Sequence, residues 1–229
     1  VWEQLSGSRS YFSSTNNNAI PNLNGGNNGG VRGQSYGKSE WSIMSYLARV
    51  SYNYDSKYLV TANFRADGSS RFGIDSRWGY FPSVSAGWML SNEPFLKDAL
   101  KDVASIRLRA SWGKSGNNDI GNYASLAGIS SGSYAFGQTP VSTTYEGSFT
   151  DAALGWETTR QTNVGIDLGF FNGRLNVIGN WYNSISTDIL YKYPISSISG
   201  ATSTTTNMSG AKIRNRGFDV QLDARLLTG

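Results

Sequence analysis

The sequence predicts an all-β chain, an antiparallel segment of a transmembrane β-barrel with about eight strands, and three observations carry that expectation. Apolar and polar side chains alternate one for one through successive stretches, the period of a strand with one dry and one wet face. Tight turns alternate along the chain with long polar connections, the asymmetry of short periplasmic turns and long extracellular loops. Gly reaches 27 of 229 residues and aromatics 13%, while charged residues make up only 16%, a balance suited to many strands and turns.

Taken in order, residues 1–45 open with a partial strand and a loop rich in Ser, Asn and Gly. The wall itself is expected over 46–229. Tyr46, Ala48, Val50, Tyr52 and Tyr54 form an apolar set against Arg49, Ser51 and Asn53. Asp55-Ser56-Lys57 makes a tight turn into Tyr58, Val60, Ala62 and Phe64, which oppose Thr61, Asn63 and Arg65. A loop over 67–77 leads to Trp78–Leu90, with Val84, Ala86 and Trp88 on one side. Asn92 or Glu93 ahead of Pro94 reads as the start of a brief helix. Ile106, Leu108, Ala110 and Trp112 alternate with Arg107, Arg109 and Ser111, and a long loop follows over 113–155, long enough for a hairpin of its own. Val164, Ile166 and Leu168 oppose Asn163 and Asp167, then Asn172-Gly173 signals a two-residue hairpin turn. After a loop over 193–212, Phe218, Val220, Leu222, Ala224 and Leu226 interleave with Asp219, Gln221, Asp223 and Arg225. A one-residue slip there would aim a basic residue at hydrocarbon, at up to ~2–4 kcal/mol.

Composition removes several kinds of chemistry. With no His and no Cys the chain offers no Ser-His-Asp or Cys-His nucleophile, no zinc site of the usual ligands and no disulfide. No cofactor and no metal are expected. Net charge is +4, but the basic residues are scattered singly, so nucleic acid is not an expected partner. No apolar run approaches a membrane helix, which does not exclude crossing by strands. Gly37-Lys38-Ser39 and Gly113-Lys114-Ser115 lack the upstream glycine of a phosphate-binding loop, and Asp67-Gly68-Ser69-Ser70 reads as a turn, not a calcium loop. Glu146, Asp151 and Glu157 keep a carboxylate-based glycoside hydrolase open as one alternative. A soluble β-rich carbohydrate-binding module is the other.

Specific runs carry a family resemblance. Arg65-Ala66-Asp67-Gly68-Ser69-Ser70-Arg71-Phe72-Gly73 and Trp78-Gly79-Tyr80-Phe81-Pro82-Ser83-Val84-Ser85-Ala86-Gly87-Trp88 closely resemble SusC/RagA-type TonB-dependent outer-membrane transporters. So do Leu108-Arg109-Ala110-Ser111-Trp112-Gly113, Leu154-Gly155-Trp156-Glu157-Thr158-Thr159 and Asn215-Arg216-Gly217-Phe218. The resemblance spans Tyr46 to Leu227. It implies part of a barrel of about 22 strands, here without its plug domain, in a multi-pass protein of the Gram-negative outer membrane. It further implies import of oligosaccharides or peptides beneath a SusD-type surface lipoprotein, energised by the TonB complex, with no catalysis.

Site expectations follow from that frame. Phe72, Trp78, Tyr123, Tyr134, Phe136 and Tyr145 lie in or beside the loops, where rings could stack on substrate or on the lipoprotein lid. Arg49, Arg65, Arg107 and Arg109 are expected to face the lumen, more to meet plug carboxylates than substrate.

Overall fold

The computed structural model describes residues 2–7, 36–96, 104–137, 139–151, 153–196, 198, 200–201 and 203–225, with side chains from Ser39 onward. Alternation becomes strand at every stretch where it was read, except that Leu226 lies outside the described residues. The strands are β1 (Trp2–Gly7), β2 (Tyr36–Trp41), β3 (Ile43–Tyr54), β4 (Tyr58–Ser69), β5 (Trp78–Met89), β6 (Ala104–Asn117), β7 (Gly128–Phe136), β8 (Thr139–Ser148), β9 (Glu157–Phe170), β10 (Leu175–Pro194) and β11 (Ser203–Ala224). Seven of them make one antiparallel sheet in the order β11-β10-β9-β6-β5-β4-β3, while β1–β2 and β7–β8 are separate hairpins. Apart from the β7–β8 excursion, each wall strand lies beside its neighbours in sequence.

Turn chemistry sets the short side. Asp55 and Ser56 both take positive φ, and the Lys57 amide donates to the Tyr54 carbonyl at 2.9 Å, closing a tight hairpin. The second turn is one residue out of place. Its central residues are Phe171 and Asn172, at φ 52° and 55°, with Gly173 next at 80°, so the ladder closes at Phe170–Leu175 and not one pair further on. The register is unchanged, since either turn keeps Ile166, Leu168 and Phe170 on the face of Leu175 and Val177. Between β5 and β6 the chain makes a 3-10 turn at Leu90–Asn92 and turns helical at 94–96; the rest of the expected helix lies outside the described residues.

The register lines one face with apolar side chains. Val50 sits opposite Ala62, Ala62 opposite Val84, and Val84 opposite Trp112. The same face carries Phe218, Val220 and Leu222, at 81%, 77% and 65% exposure. Nothing covers it. A sandwich would bury these side chains against a second sheet, so the soluble-module alternative loses its physical basis. Aromatic pairs bound the face. Tyr58 stacks on Tyr54 and Trp88 at the short-turn end, with centroids 6.4 and 6.3 Å apart, and Tyr46 stacks on Trp78 at the other end, at 5.9 Å. Tyr46 and Tyr54 are eight residues apart on β3, about 27 Å along the strand and about 20 Å along an axis tilted by ~40°, close to the apolar band of an outer-membrane barrel.

On the long-loop side the strands outrun their expected ends. β4 continues to Ser69 and β6 to Asn117, while β10 and β11 run on to Pro194 and from Ser203, so most of 193–212 is ladder and not loop. The reason is backbone pairing between polar partners such as Lys192 and Thr205, which needs no apolar face to guide it. The Asp67-Gly68-Ser69 run likewise ends β4 and does not form a turn. Above Gly113, β6 leaves β5 and stays with β9, and the wedge between them is filled by Phe81 against Trp156 and Phe72 against Trp156, each with centroids 5.3 Å apart. A Cβ at Gly116 would collide with the Phe81 ring. Phe72, Ile120 and Leu154 form the core of this end, with Leu190 packed on it.

At the short-turn end, Glu93 accepts from the Tyr58 hydroxyl at 2.7 Å and the Trp88 indole at 2.9 Å, and Asn92 donates to the Ser56 carbonyl at 3.0 Å. The Tyr58 bond, then the Trp88 bond, hold the Glu93 carboxyl below the usual carboxylate range. A depressed pKa in the fold means that the stabilisation is present above the ordinary carboxyl pKa and is lost as the pH falls through the lower folded value. Glu93→Gln is therefore expected to lower the thermal stability of the full-length protein at pH 7, read by heat-modifiable gel mobility. Parent and variant are expected to converge in acid, once the parent carboxyl is protonated. Equal stability of the two proteins at pH 7 would contradict the clamp.

Candidate functional site

Opposite the apolar face lies a polar one, and its side chains are bonded across strands. Arg107 and Arg109 project two residues apart from β6, and both reach Asp167 on β9. Arg107 Nε donates to Asp167 Oδ2 at 2.6 Å, reinforced by an Nη2–Oδ2 ion pair. Arg109 donates to Oδ1 from Nε at 3.0 Å and from Nη2 at 2.7 Å. Its Nη2 also reaches across β9 to Asn180 Oδ1 on β10, at 2.8 Å. Gly165 makes that crossing fit: it sits opposite Arg109 in the ladder, and a Cβ there would stand 2.6 Å from Asn180 Oδ1 and 3.1 Å from Arg109 Nη2.

A second polar row runs along β3–β5. Arg49 Nε donates to Asn63 Oδ1 at 2.7 Å, and Asn63 donates to Ser83 Oγ at 3.1 Å. Arg65 pairs with the buried Asp67 at 2.6 Å. Arg49, Arg65, Arg107 and Arg109 share the polar face by register, and three of them already have carboxylate partners within the wall. Arg49 has a neutral partner, and with Lys114, Asn63 and Trp156 it lines an open recess on this face.

The aromatic candidates separate. Phe72 is 1% exposed inside the loop core, so it has no surface to offer a ligand. Trp78 stands on the apolar face against Tyr46, because the Gly68–Trp78 pairing puts it on the side of Tyr80 and Val84. Tyr123 ties its loop to β2, its hydroxyl accepting from the Glu40 amide at 2.9 Å. Tyr134, Phe136 and Tyr145 do come together on the β7–β8 hairpin. The register places Tyr134 opposite Val141 and Tyr145 opposite Ser130, Tyr145 lies over Gly132, and Tyr134 and Phe136 meet edge to face at 5.1 Å. All three rings are exposed, which makes one face of the hairpin an aromatic platform.

The three carboxylates sit in separate settings. Glu157 accepts from the Leu190 amide at 3.0 Å, Asp151 accepts from the Ala153 amide and the Thr206 hydroxyl, and Glu146 lies in the β7–β8 ladder. Among the described residues no group of three or more His, Cys, Asp or Glu could hold a metal ion. Asn207 knits the loops, donating to the carbonyls of Gly155 at 3.0 Å and Asp188 at 2.8 Å. Sequence reasoning singled out neither Asp167 nor Gly165 as a site residue; the inward parity of Asp167 was there to be read, but not the strand it would lie beside.

Comparison with known proteins places this geometry. The model of the TonB dependent receptor-like β-barrel family matches residues 2–229. TonB-dependent receptor P39 of Formosa agariphila is 39% identical over 187 residues, covering 80% of this chain and 17% of that protein. TonB-dependent receptor SusC of Bacteroides thetaiotaomicron is 34% identical over 189 residues, covering 80% of this chain and 18% of that protein. Among solved structures, the RagAB peptide importer in its closed-closed state superposes with a TM-score of 0.77 at 26% identity, covering 93% of this chain and 23% of that one. A siderophore receptor, PirA of Acinetobacter baumannii, shares the fold at a TM-score of 0.54 and 16% identity. The chain spans about a fifth of the length of the curated relatives it matches.

The Asp167 centre gives a direct test. Its arginines are partly exposed, so screening reduces what full burial would give, and Asp167→Asn is expected to cost about 1–2 kcal/mol of unfolding free energy in urea. Arg109→Gln in the Asp167→Asn background is expected to cost much less than in the parent, because the two side chains share one interaction. Additive losses would show that the pair is not coupled.

Proposed function

The chain belongs to the TonB dependent receptor-like β-barrel family, and from that membership we propose that it is a stretch of the wall of an outer-membrane importer. The apolar face meets lipid, and the cross-bonded polar face lines the interior. Substrate is an oligosaccharide or a peptide, taken in beneath a SusD-type surface lipoprotein and energised through TonB by parts of the protein outside this chain. The observation that carries the reading is the seven-stranded ladder itself: one face bare, apolar and bounded by aromatic rows, the other hydrogen-bonded from strand to strand. In water such a face would drive association, whereas in a bilayer it is the solvated one.

Within this reading the wall does no chemistry. The arginines and Asp167 hold the strands in register around a passage, and Arg49 is left to face plug or cargo. The Tyr134–Phe136–Tyr145 platform stands on the long-loop side, where rings stack on the C–H faces of a sugar or pack against a lid. RagAB, to which the chain is similar, is a peptide importer; the cargo of this chain is a property of loops, plug and lid together.

In the full-length transporter, Tyr134→Ala, Phe136→Ala and Tyr145→Ala combined are expected to leave the amount in the outer membrane unchanged. The same variant is expected to raise either the half-saturating substrate concentration for uptake or the dissociation constant of the lipoprotein by about tenfold, roughly one good aromatic contact. Retention of both at parental values would remove the platform from the account, and uptake independent of TonB would remove the importer reading.

A further inference from the structure

The outward face of β9–β11 changes character along its length. Going up β9 from Phe170, the apolar positions are Leu168, Ile166 and Val164; Thr162 follows and then Arg160. The register carries this row across: Arg160 lies opposite Ile185, Ile185 opposite Arg214, and one step down Asn183 lies opposite Arg216. Arg160, Arg214 and Arg216 are all exposed, as is Lys212 a step above. Arg214 Nε donates to Asn183 Oδ1 at 2.7 Å, which ties its guanidinium to the neighbouring strand. On this face no carboxylate occupies any ladder position from Phe170 to Arg160 or from Ala224 to Lys212; Asp167, Asp219 and Asp223 all point to the other side. The first acid met going up β10 is Asp188, at the bulge beyond Thr187, whose hydroxyl bonds to it.

Height gives the cluster its meaning. Arg160 is ten residues up β9 from Phe170, about 34 Å of strand and about 26 Å along an axis tilted by ~40°, which is the upper edge of an apolar band ~25 Å tall. Directly below the arginines lie Trp181, Phe218, Val220 and Leu222, a surface for acyl chains. Cations unmatched by carboxylates among the described residues, at the boundary between hydrocarbon and water, meet the headgroups of the outer leaflet, and the planar fork of Arg matches phosphate oxygens two at a time. We propose that Arg160, Arg214 and Arg216 form a docking site for the phosphates of one outer-leaflet glycolipid of the lipid A type, its acyl chains lying on the Phe218–Leu222 face. This rests on the outer-membrane reading above, and it concerns the outside of the wall, not the transport path.

The test uses the full-length transporter in a neutral detergent, titrated with diphosphorylated lipid A and with the same lipid dephosphorylated, bound lipid being counted by native mass spectrometry. The parent is expected to hold the phosphorylated lipid about tenfold more tightly, and millimolar inorganic phosphate is expected not to displace it. R160Q/R214Q/R216Q is expected to lose the discrimination, and R216Q alone to lose part of it, which decides the matter should the triple variant fail to insert. Equal binding of the two lipids, a triple variant as discriminating as the parent, or displacement by inorganic phosphate would overturn the proposal. Membrane fractionation and heat-modifiable mobility of the parent run alongside: absence from the outer membrane sinks the barrel reading, whereas proper insertion without lipid discrimination sinks this proposal alone.

Discussion

Backbone amides and carbonyls that cross hydrocarbon have no water to bond, so each must find a partner within the protein. In this chain that requirement is met by ladders, and almost everything else follows from it. A ladder fixes the side-chain period at two. Once Val50, Ala62, Val84 and Trp112 share a row, Arg49, Asn63, Ser83 and Gly113 must share the opposite face. The tight turn at Asp55-Ser56 and the looser one at Phe171-Asn172 differ in shape, yet each preserves the pairing that keeps the two faces distinct.

The polar face then has its own problem, since charges set close together on one face need partners. Asp167 answers it for Arg107 and Arg109, and Asp67 does so for Arg65. The arrangement depends on absence as much as on charge, because only a glycine at position 165 lets the Arg109 guanidinium pass over β9 to Asn180. At the long-loop end a different solution operates. There the strands part, and Phe72, Phe81, Ile120, Leu154 and Trp156 fill the wedge with an ordinary hydrophobic core. Among the described residues the fully buried large apolar side chains are confined to that end; elsewhere such side chains are half-buried or exposed.

The strands and their faces were legible because period-two alternation is local, as in Phe218 to Ala224, where each step is visible in the sequence. Strand ends were not, because Lys192 and Thr205 pair through backbone alone and leave no pattern to read. Among the rings, Tyr134, Phe136 and Tyr145 fell together since the hairpin between them is short. Phe72 was misjudged for the opposite reason: its partners Ile120 and Leu154 are distant in sequence, and only tertiary structure brings them to it. Trp78 was misjudged by parity, a ring beside a loop whose register turns it to the apolar side. For Arg107 and Arg109 the face was legible and the partner was not, because it depends on which strand lies next to β6 once the β7–β8 hairpin is set aside.

The segment has no cysteine, so single cysteines carrying a nitroxide label can be placed along β11 at positions 218–223 in the full-length protein reconstituted in lipid. Collision with membrane-dissolved oxygen and with a water-soluble nickel chelate then reports the surroundings of each position. Oxygen should dominate at 218, 220 and 222 and the chelate at 219, 221 and 223, in strict alternation. Uniform access of the chelate to all six positions, or oxygen access without a period of two, would contradict a wall with one face in lipid.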